Sequence, residues 1–245
     1  MLDMRRKPRV FLSAEWRDLV MLNYEVERGL LKYHVPPGTE LDSFDGRTYL
    51  SLVGFRFLRT KLFGVLPIPF HSNFDEINLR FYVRRRETDV ERRGVVFIAE
   101  IVPKHAIASI ARLAYGENYV CRPMKRRIET NEAKKAAEYQ WLEKGAWSRI
   151  FAHASGVPRP AAEGSLEQFI TEHYWGYTAQ QNGSALEYRV DHAPWNIWTN
   201  ATAGFEGEAS VLYGREIAEI LQRTPDSAFI ADGSPVEVFR GRKLR

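Results

Sequence analysis

The chain is poor in cysteine. Cys121 is the only one among 245 residues, so an intramolecular disulfide cannot form. A zinc site built from several cysteines is excluded for the same reason. The sequence therefore has to fold on its apolar core, and its hydrophobic content of 44% is ordinary for a globular protein.

Long apolar runs are also missing. No stretch reaches the roughly 20 apolar residues that a membrane-spanning helix needs. The N-terminal sequence MLDMRRKPRVF lacks the apolar region of a signal peptide. We therefore predict a cytoplasmic protein that has no membrane partner.

Motifs for metals, nucleotides and serine nucleophiles are absent. The histidines show no HExxH or HxH spacing, no GxSxG elbow is present, and no glycine-rich phosphate loop follows a strand. These absences argue against a metalloenzyme, a serine hydrolase and a nucleotide-dependent enzyme. We predict no metal and no cofactor.

The charge is nearly balanced, with 35 basic and 31 acidic residues and a net charge of +4. Two basic clusters, Arg84–Arg86 and Lys125–Arg127, are short and are not interleaved with aromatic residues, as a base-stacking surface would require. Arg84–Arg86 are interpreted as a solvated strand end. A nucleic-acid partner is therefore disfavoured, and weak binding through these arginines is kept only as an alternative.

Turn signals dominate the rest of the chain. Asp45-Gly46, Asn182-Gly183 and Asp232-Gly233 are typical hairpin turns, and apolar strands lie between them. Helical patterns are few, and one begins with a capping box at Ser165 and Gln168. We predict a mainly β (α+β) fold: an antiparallel β-barrel with two or three covering helices. It forms a single domain over residues 1–245 with a loose basic arm at about residues 1–10.

One strand has an unusual polar face. In FDEINLRFYV (residues 74–83), one face is apolar, whereas Glu76, Asn78, Arg80 and Tyr82 lie on the other. Two interpretations remain open: a solvent face with weak ion pairs, or a polar wall inside a barrel. In the second, Glu76 and Arg80 point inward with Asn78 or Tyr82, and Arg80 binds a ligand carboxylate.

Several segments carry a family resemblance. WRDLVMLNYEV, LDSFDGRTYLSLVGF, FDEINLRFYV, ARLAYGENY, SLEQFITEHYWGYT and DHAPWNI occur in order over most of the chain. They resemble the YqjF-like family of uncharacterised bacterial proteins, which is similar in fold to acetoacetate decarboxylase. The resemblance implies a β-barrel with an internal pocket. Within DHAPWNI, His192 and Trp195 are candidate pocket residues by residue type, and the alternatives are a structural loop histidine and a core-packing tryptophan.

The same resemblance raises one catalytic hypothesis. Acetoacetate decarboxylase uses a Schiff-base lysine whose pKa is lowered by an adjacent lysine. Lys125 is a loose match in ARLAYGENYVCRPMKRR, because it follows Pro123-Met124 and its neighbour is Arg126. A neighbouring arginine would also lower a lysine pKa, but a solvated lysine at a strand end is the plainer interpretation.

Together these patterns predict a barrel pocket that binds a small, acidic organic molecule. The alternatives are a non-catalytic regulatory or binding protein, a lysine Schiff-base decarboxylase-like enzyme, and a weak nucleic-acid binder. The oligomeric state stays open.

Overall fold

β-strands form most of the protein. The computed structural model describes residues 9–67, 71–87, 90–131, 134–199 and 201–244, and the side chains of all of these except 110–113. Strands account for 58% of the described residues and helices for 14%, so the prediction of a mainly β fold is confirmed. No described helix is long and apolar enough to cross a membrane.

The strands are β1 (Val10–Val26), β2 (Glu40–Leu41), β3 (Thr48–Leu62), β4 (Leu66–Pro67), β5 (Phe74–Glu87), β6 (Val90–Val102), β7 (Tyr119–Cys121), β8 (Met124–Thr130), β9 (Lys134–Glu143), β10 (Ala146–Ser155), β11 (Arg159–Pro160), β12 (Trp175–Ala179), β13 (Ala185–His192), β14 (Asn196–Trp198), β15 (Thr202–Glu206), β16 (Ser227–Ala231), β17 (Pro235–Phe239) and β18 (Arg242–Leu244). The helices are α1 (Arg28–Leu31), α2 (His105–Tyr115), α3 (Leu166–Thr171), α4 (Ser210–Tyr213) and α5 (Arg215–Leu221), with a short 3₁₀ turn at Lys32–His34.

Seven strands of the large sheet pair in a closed cycle. The order is β1, β17, β13, β12, β6, β5 and β3, and a pairing between β3 and β1 closes it. All pairs in the cycle are antiparallel except β12 with β6. The sheet is therefore strongly curled, and it encloses an interior.

A second, four-stranded sheet packs on the outside of this curl. Its order is β15, β10, β9 and β8. Ile77 and Leu79 of β5 share an apolar cluster with Tyr139 and Trp141 of β9. Gly54 of β3 lies at this contact, because a Cβ there would approach the Tyr139 ring to 2.8 Å. The apolar face of β5 is thus buried against the outer sheet, which leaves its polar face turned toward the interior.

The turn predictions have mixed outcomes. Asn182-Gly183 joins the paired strands β12 and β13, as a hairpin should. Asp232-Gly233 joins β16 and β17, but both pair with β1 and not with each other. At Asp45-Gly46 the chain does turn, yet β2 pairs with β5 and only one bridge, between Phe44 and Arg47, closes the turn.

The predicted ends and domain limits meet the structure only in part. β1 already begins at Val10, and residues 1–8 of the predicted basic arm lie outside the described residues. The apolar cluster between the two sheets contains residues from Val20 to Ile230, on both sides of the loop at 156–164. A single domain over residues 1–245 stays a prediction.

Candidate functional site: an internal cavity with two polar ends

The curled sheet encloses a cavity of about 110 Å³. Most of its lining side chains are apolar or aromatic, and the polar ones fall into two groups. We call Glu76, Glu100 and Glu117 the acidic cluster. The second group centres on Arg80 and includes His173 and His192.

Strand β5 contributes to both polar ends of the cavity. It supplies Glu76 to the acidic cluster, Arg80 to the other group, and Asn78 between them. Glu76, Asn78 and Arg80 all line the cavity, as expected for alternate residues on one face of a strand. Tyr82 continues the same face but is not a lining residue. Its hydroxyl lies 2.6 Å from the hydroxyl of Ser51, in a buried contact beyond the cavity.

A β-bulge in β6 brings Glu100 to the same interior. Leu79 pairs with Ala99, whereas the next residue, Arg80, pairs with Phe97, so Ile98 has no partner on β5. A bulge of one residue changes which side chains face each side of the sheet. Consequently both Phe97 and Glu100 line the cavity although they are three residues apart.

Hydrogen bonds join the acidic cluster to neutral donors. Asn78 Nδ2 donates to Glu76 Oε1 at 3.3 Å, and the Tyr119 hydroxyl donates to Glu76 Oε2 at 3.4 Å. The Tyr188 hydroxyl donates to Glu117, which also shares a hydrogen bond with Glu100. Tyr119 also forms a hydrogen bond with Glu100, so the three carboxyl groups form one connected polar network.

This network retains protons at neutral pH. Burial raises the pKa of Glu76 to about 8, with a further increase from the charge of Glu117. Burial raises the pKa of Glu117 to about 7, although hydrogen bonds from Tyr188, Glu100 and Thr178 oppose it. For Glu100, burial and the charges of Glu117 and Glu76 move the pKa well above its usual range. Like charges in a poorly solvated site cannot all ionise together.

The acidic cluster differs from the other buried acids of the protein. Among the described residues, four further acidic side chains are buried, and each pairs with at least one arginine. The pairs are Asp42 with Arg93, Asp75 with Arg126, Glu143 with Arg122, and Glu187 with Arg85, Arg92 and Arg242. Within the same residues, no arginine or lysine pairs with Glu76, Glu100 or Glu117.

Arg80 is a buried cation without a carboxylate partner among the described residues. Only 8% of the residue is exposed. Its Nη2 donates to the carbonyl oxygen of Ile170 at 3.3 Å, and its buried Nε has no hydrogen-bond partner. Ile170 lies in the last turn of α3, where helix carbonyls have no partner within the helix. The rest of the guanidinium fork remains available for a bidentate acceptor.

A buried histidine stands beside Arg80. His173 Nε2 lies 3.4 Å from Asp42 Oδ2, and Arg93 donates to the same oxygen at 2.7 Å. Burial lowers the pKa of His173 to about 4, and the charges of Arg93 and Arg80 add to this decrease, against the opposing effect of Asp42. His173 is thus neutral at pH 7, and its Nδ1 has no hydrogen-bond partner.

His192 and Trp195 lie together at the cavity wall. Their rings are stacked with centroids 4.5 Å apart. Trp195 Nε1 donates to Ser234 Oγ at 2.9 Å, whereas the buried Nε1 of the neighbouring Trp16 has no partner. Burial lowers the pKa of His192, so it adds no positive charge at neutral pH.

Unpartnered polar atoms are concentrated in this lining. Buried nitrogen or oxygen atoms without a hydrogen-bond partner occur on five lining side chains: Trp16, Asn78, Arg80, Glu100 and His173. An unsatisfied buried polar group typically costs about 1 to 3 kcal/mol. Such a concentration of unsatisfied polar atoms in one lining is typical of a cavity that holds water or a ligand.

Lys125 lies elsewhere. It is exposed on β8 of the outer sheet, where it pairs with Gln140 of β9. Its Nζ lies 4.1 Å from the centroid of the Trp147 ring. A Schiff-base lysine has to reach a bound substrate, and this position is outside the cavity. The cavity-lining residues that the structure describes include no lysine.

Both basic clusters are engaged in ion pairs within the protein. Arg84–Arg86 lie at the end of β5, where Arg86 is exposed and Arg84 and Arg85 are partly buried. The pairs are Arg84 with Glu40, Arg85 with Glu187, Arg86 with Glu91, Arg126 with Asp75, and Arg127 with Glu129. Their charges are therefore partly neutralised by the fold. This arrangement does not favour a nucleic-acid surface.

Sequence reasoning missed Glu100, Glu117 and His173. Glu100 is the only charged residue in the apolar run VVFIAEIV at residues 95–102, and this was the available signal. Glu117 follows Gly116, whose φ of 72° ends α2 and turns the chain into the cavity wall. Nothing in the local sequence marks His173, because its partner Asp42 is 131 positions away.

Comparisons with known proteins agree with this fold. A model of the family DUF2071, described as an uncharacterized conserved protein (COG2071), matches residues 13–235. The uncharacterized protein YqjF of Bacillus subtilis (strain 168) is 26% identical over 193 residues, which cover 78% of this chain and 76% of that protein. The predicted resemblance to YqjF-like proteins is confirmed.

Two solved structures have a similar fold. The acetoacetate decarboxylase from Legionella pneumophila subsp. pneumophila str. Philadelphia 1 gives a TM-score of 0.67 at 13% identity, covering 100% of this chain and 93% of that one. The enduracididine biosynthesis enzyme MppR complexed with pyruvate gives 0.65 at 13% identity, covering 99% and 93%. At these identities the likeness shows the fold alone, and it confirms the predicted acetoacetate decarboxylase-like fold.

Proposed function

The chain belongs to the DUF2071 family, and we propose that it binds a small organic carboxylate in its internal cavity, with Arg80 as the residue that recognises the carboxylate. The observation that carries the proposal is the buried guanidinium of Arg80, which has no carboxylate partner among the described residues. An uncompensated buried charge is costly, and an anionic ligand would compensate it. The planar guanidinium fork matches a carboxylate in geometry.

The surroundings of Arg80 favour an anion. His173 and His192 are neutral at pH 7, so they can donate or accept a hydrogen bond without adding charge. Arg80 Cζ also lies 5.8 Å from the centroid of the Tyr82 ring, which fixes the guanidinium from one side. A positioned, poorly solvated arginine loses little freedom when a carboxylate binds.

The cavity limits the size of the ligand. One water molecule needs about 10 to 15 Å³ of cavity volume on this measure. The cavity of about 110 Å³ therefore has room for roughly 7 to 11 waters. A ligand with a similar number of non-hydrogen atoms fits, and the aromatic lining favours an apolar body. Pyruvate, which is bound in the structurally similar MppR, is a small carboxylate of this general kind.

Lysine Schiff-base chemistry is not part of this proposal, since Lys125 is exposed on the outer sheet. We propose a binding or regulatory role for the site, within the predicted single domain. The cytoplasm remains the location predicted from the sequence.

The test is calorimetric titration of the protein with pyruvate, butanoate, hexanoate and octanoate, each compared with its neutral amide. We expect at least one carboxylate to bind at least about tenfold more tightly than its amide, because only the anion compensates Arg80. Equal affinity for acid and amide would contradict carboxylate recognition, and no binding of any of them would contradict the function.

A pair of variants locates the site. Arg80→Met should abolish the preference for the acid over the amide while retaining much of the side-chain volume. Arg215→Met is the matched control, because Arg215 is exposed and pairs only across the surface of α5 with Glu219. An Arg80→Met protein that keeps the acid preference would show that the carboxylate binds elsewhere.

A further inference from the structure

We propose that the acidic cluster is a second recognition site, which binds an amine, so that the cavity takes a small amino-carboxylic acid with its two charged groups at opposite ends. This inference rests on the proposed function for the carboxylate end. It adds a ligand class that the Arg80 end alone does not specify.

The cluster is assembled from three separate parts of the chain. Glu76 comes from β5, Glu100 from β6 through the bulge at Ile98, and Glu117 from the segment after α2. All three line the cavity, and each is at most 7% exposed. One Glu100 carboxyl oxygen is buried without a hydrogen-bond partner.

Among the described residues, arginines pair with the other buried acids but not with the acidic cluster. Asp42, Asp75, Glu143 and Glu187 each contact at least one guanidinium. Around the acidic cluster, the described donors are neutral: Asn78, Thr178, Tyr119 and Tyr188. Without a cation, burial keeps these carboxyl groups largely protonated. A cationic ligand group would favour their ionised form and pair with it there.

A primary ammonium fits this group of carboxyls. It has three N–H donors and no acceptor, and three carboxyl groups face the same space. The described residues include no group of histidine, cysteine or acidic side chains arranged to hold a metal ion. The chemistry therefore favours an organic cation over a metal ion.

The two ends are separated along one strand. Glu76 and Arg80 are four residues apart on the same face of β5, which corresponds to about 13 Å between their Cα atoms. Side chains such as Val53, Phe55 and Phe97 line the cavity with them. An aliphatic chain with an amine at one end and a carboxylate at the other matches this polar–apolar–polar arrangement.

Amine binding should release protons from the cluster. A cation favours the ionised carboxylates, whose pKa values are raised in the free protein. The tyrosines that face the cluster, Tyr115, Tyr119 and Tyr188, have pKa values raised above their usual range and remain neutral at pH 7. The carboxyl groups are therefore the source of any proton released.

The experiment titrates the protein at pH 7 with 4-aminobutanoate, 6-aminohexanoate and 8-aminooctanoate, each against the fatty acid of equal chain length. Titrations in PIPES and in HEPES, which differ in ionisation enthalpy and contain no primary amine, give the number of protons released. We expect one amino acid of the series to bind at least about tenfold more tightly than its fatty acid, with net proton release.

Variants assign the effect to the cluster. Glu100→Gln should remove most of the preference for the amino acid over the fatty acid of equal chain length. Glu117→Gln is a second variant of the same kind if the first fails to fold. Glu219→Gln removes an exposed carboxylate and should change neither affinity.

The outcomes separate the two proposals. Fatty acids that bind as tightly as all three amino acids would overturn amine recognition and leave carboxylate binding intact. Preference for the amino acid that survives both cluster variants would also overturn it. If neither series binds, the proposed function fails as well.

Discussion

Glu76 and Arg80 point from one face of β5 into the same cavity, yet they do not form an ion pair. Glu76 accepts hydrogen bonds from Asn78 and Tyr119, whereas the only described hydrogen bond of the Arg80 side chain reaches Ile170. The two side chains are four positions apart on the extended strand, with Ile77, Asn78 and Leu79 between them. This separation gives the cavity two ends of opposite chemical character.

The acidic cluster should make stability fall with rising pH. The pKa of Glu76 in the folded protein is about 8 and that of Glu117 about 7, above the usual value near 4.3. The folded state therefore holds these protons more tightly than the unfolded state. The stability that these raised pKa values contribute is fully present below about pH 4 and is lost as the pH rises through 7 to 8.

Each unit by which a pKa differs between the folded and unfolded states changes the free energy of unfolding by about 1.4 kcal/mol. Urea denaturation between pH 5 and 8 measures this change. Glu76→Gln should flatten the slope and be more stable than the wild type at pH 8. Glu219→Gln, an exposed control, should retain the slope. A wild-type stability that is constant or rises from pH 5 to 8 would contradict the buried, protonated cluster.

Gly176 should be needed for the position of Tyr188. The two residues pair across β12 and β13, and a Cβ on Gly176 would lie 2.1 Å from the Tyr188 ring. Gly176→Ala must therefore displace the ring and weaken the hydrogen bond from Tyr188 to Glu117. We expect a loss of about 1 to 3 kcal/mol in unfolding free energy.

The matched control for this change is Gly204→Ala on β15 of the outer sheet. There a Cβ would approach the Phe151 ring only to 3.3 Å, so a smaller loss is expected. Chemical denaturation of both variants makes the comparison. Equal losses in the two would show that Tyr188 is free to move and does not depend on Gly176.

Lys125 should form no trapped adduct. Its Nζ is over the Trp147 ring on the outer sheet, away from the cavity. Borohydride reduction in the presence of acetoacetate, followed by peptide mass spectrometry, should find Lys125 unmodified in the wild type. A Lys125 adduct that is lost in Lys125→Ala would restore the Schiff-base hypothesis and contradict the exposed position of Lys125 on the outer sheet.

Alternation along β5 was enough to predict which side chains share a face. Glu76, Asn78 and Arg80 all line the cavity, because successive side chains in a strand point to opposite faces and every second one shares a face. The Asn182-Gly183 hairpin was predictable for the same local reason. Tyr82 shows the limit of this argument, since its place at the end of the row puts it against Ser51 and outside the cavity.

Pairing between distant segments decided the rest. The order of the sheet put β1 between β16 and β17, so the local turn at Asp232-Gly233 did not make a hairpin. The bulge opposite Arg80 turned Glu100 inward, and the return of the chain after α2 brought Glu117 to it. The sequence by itself determined a mainly β chain with one polar strand face. Only the tertiary structure decided that this face lines a cavity with three carboxyl groups and an arginine, none of which has an ionic partner among the described residues. Burial and charge pairing depend on residues far apart in the chain, so the local sequence could not specify them.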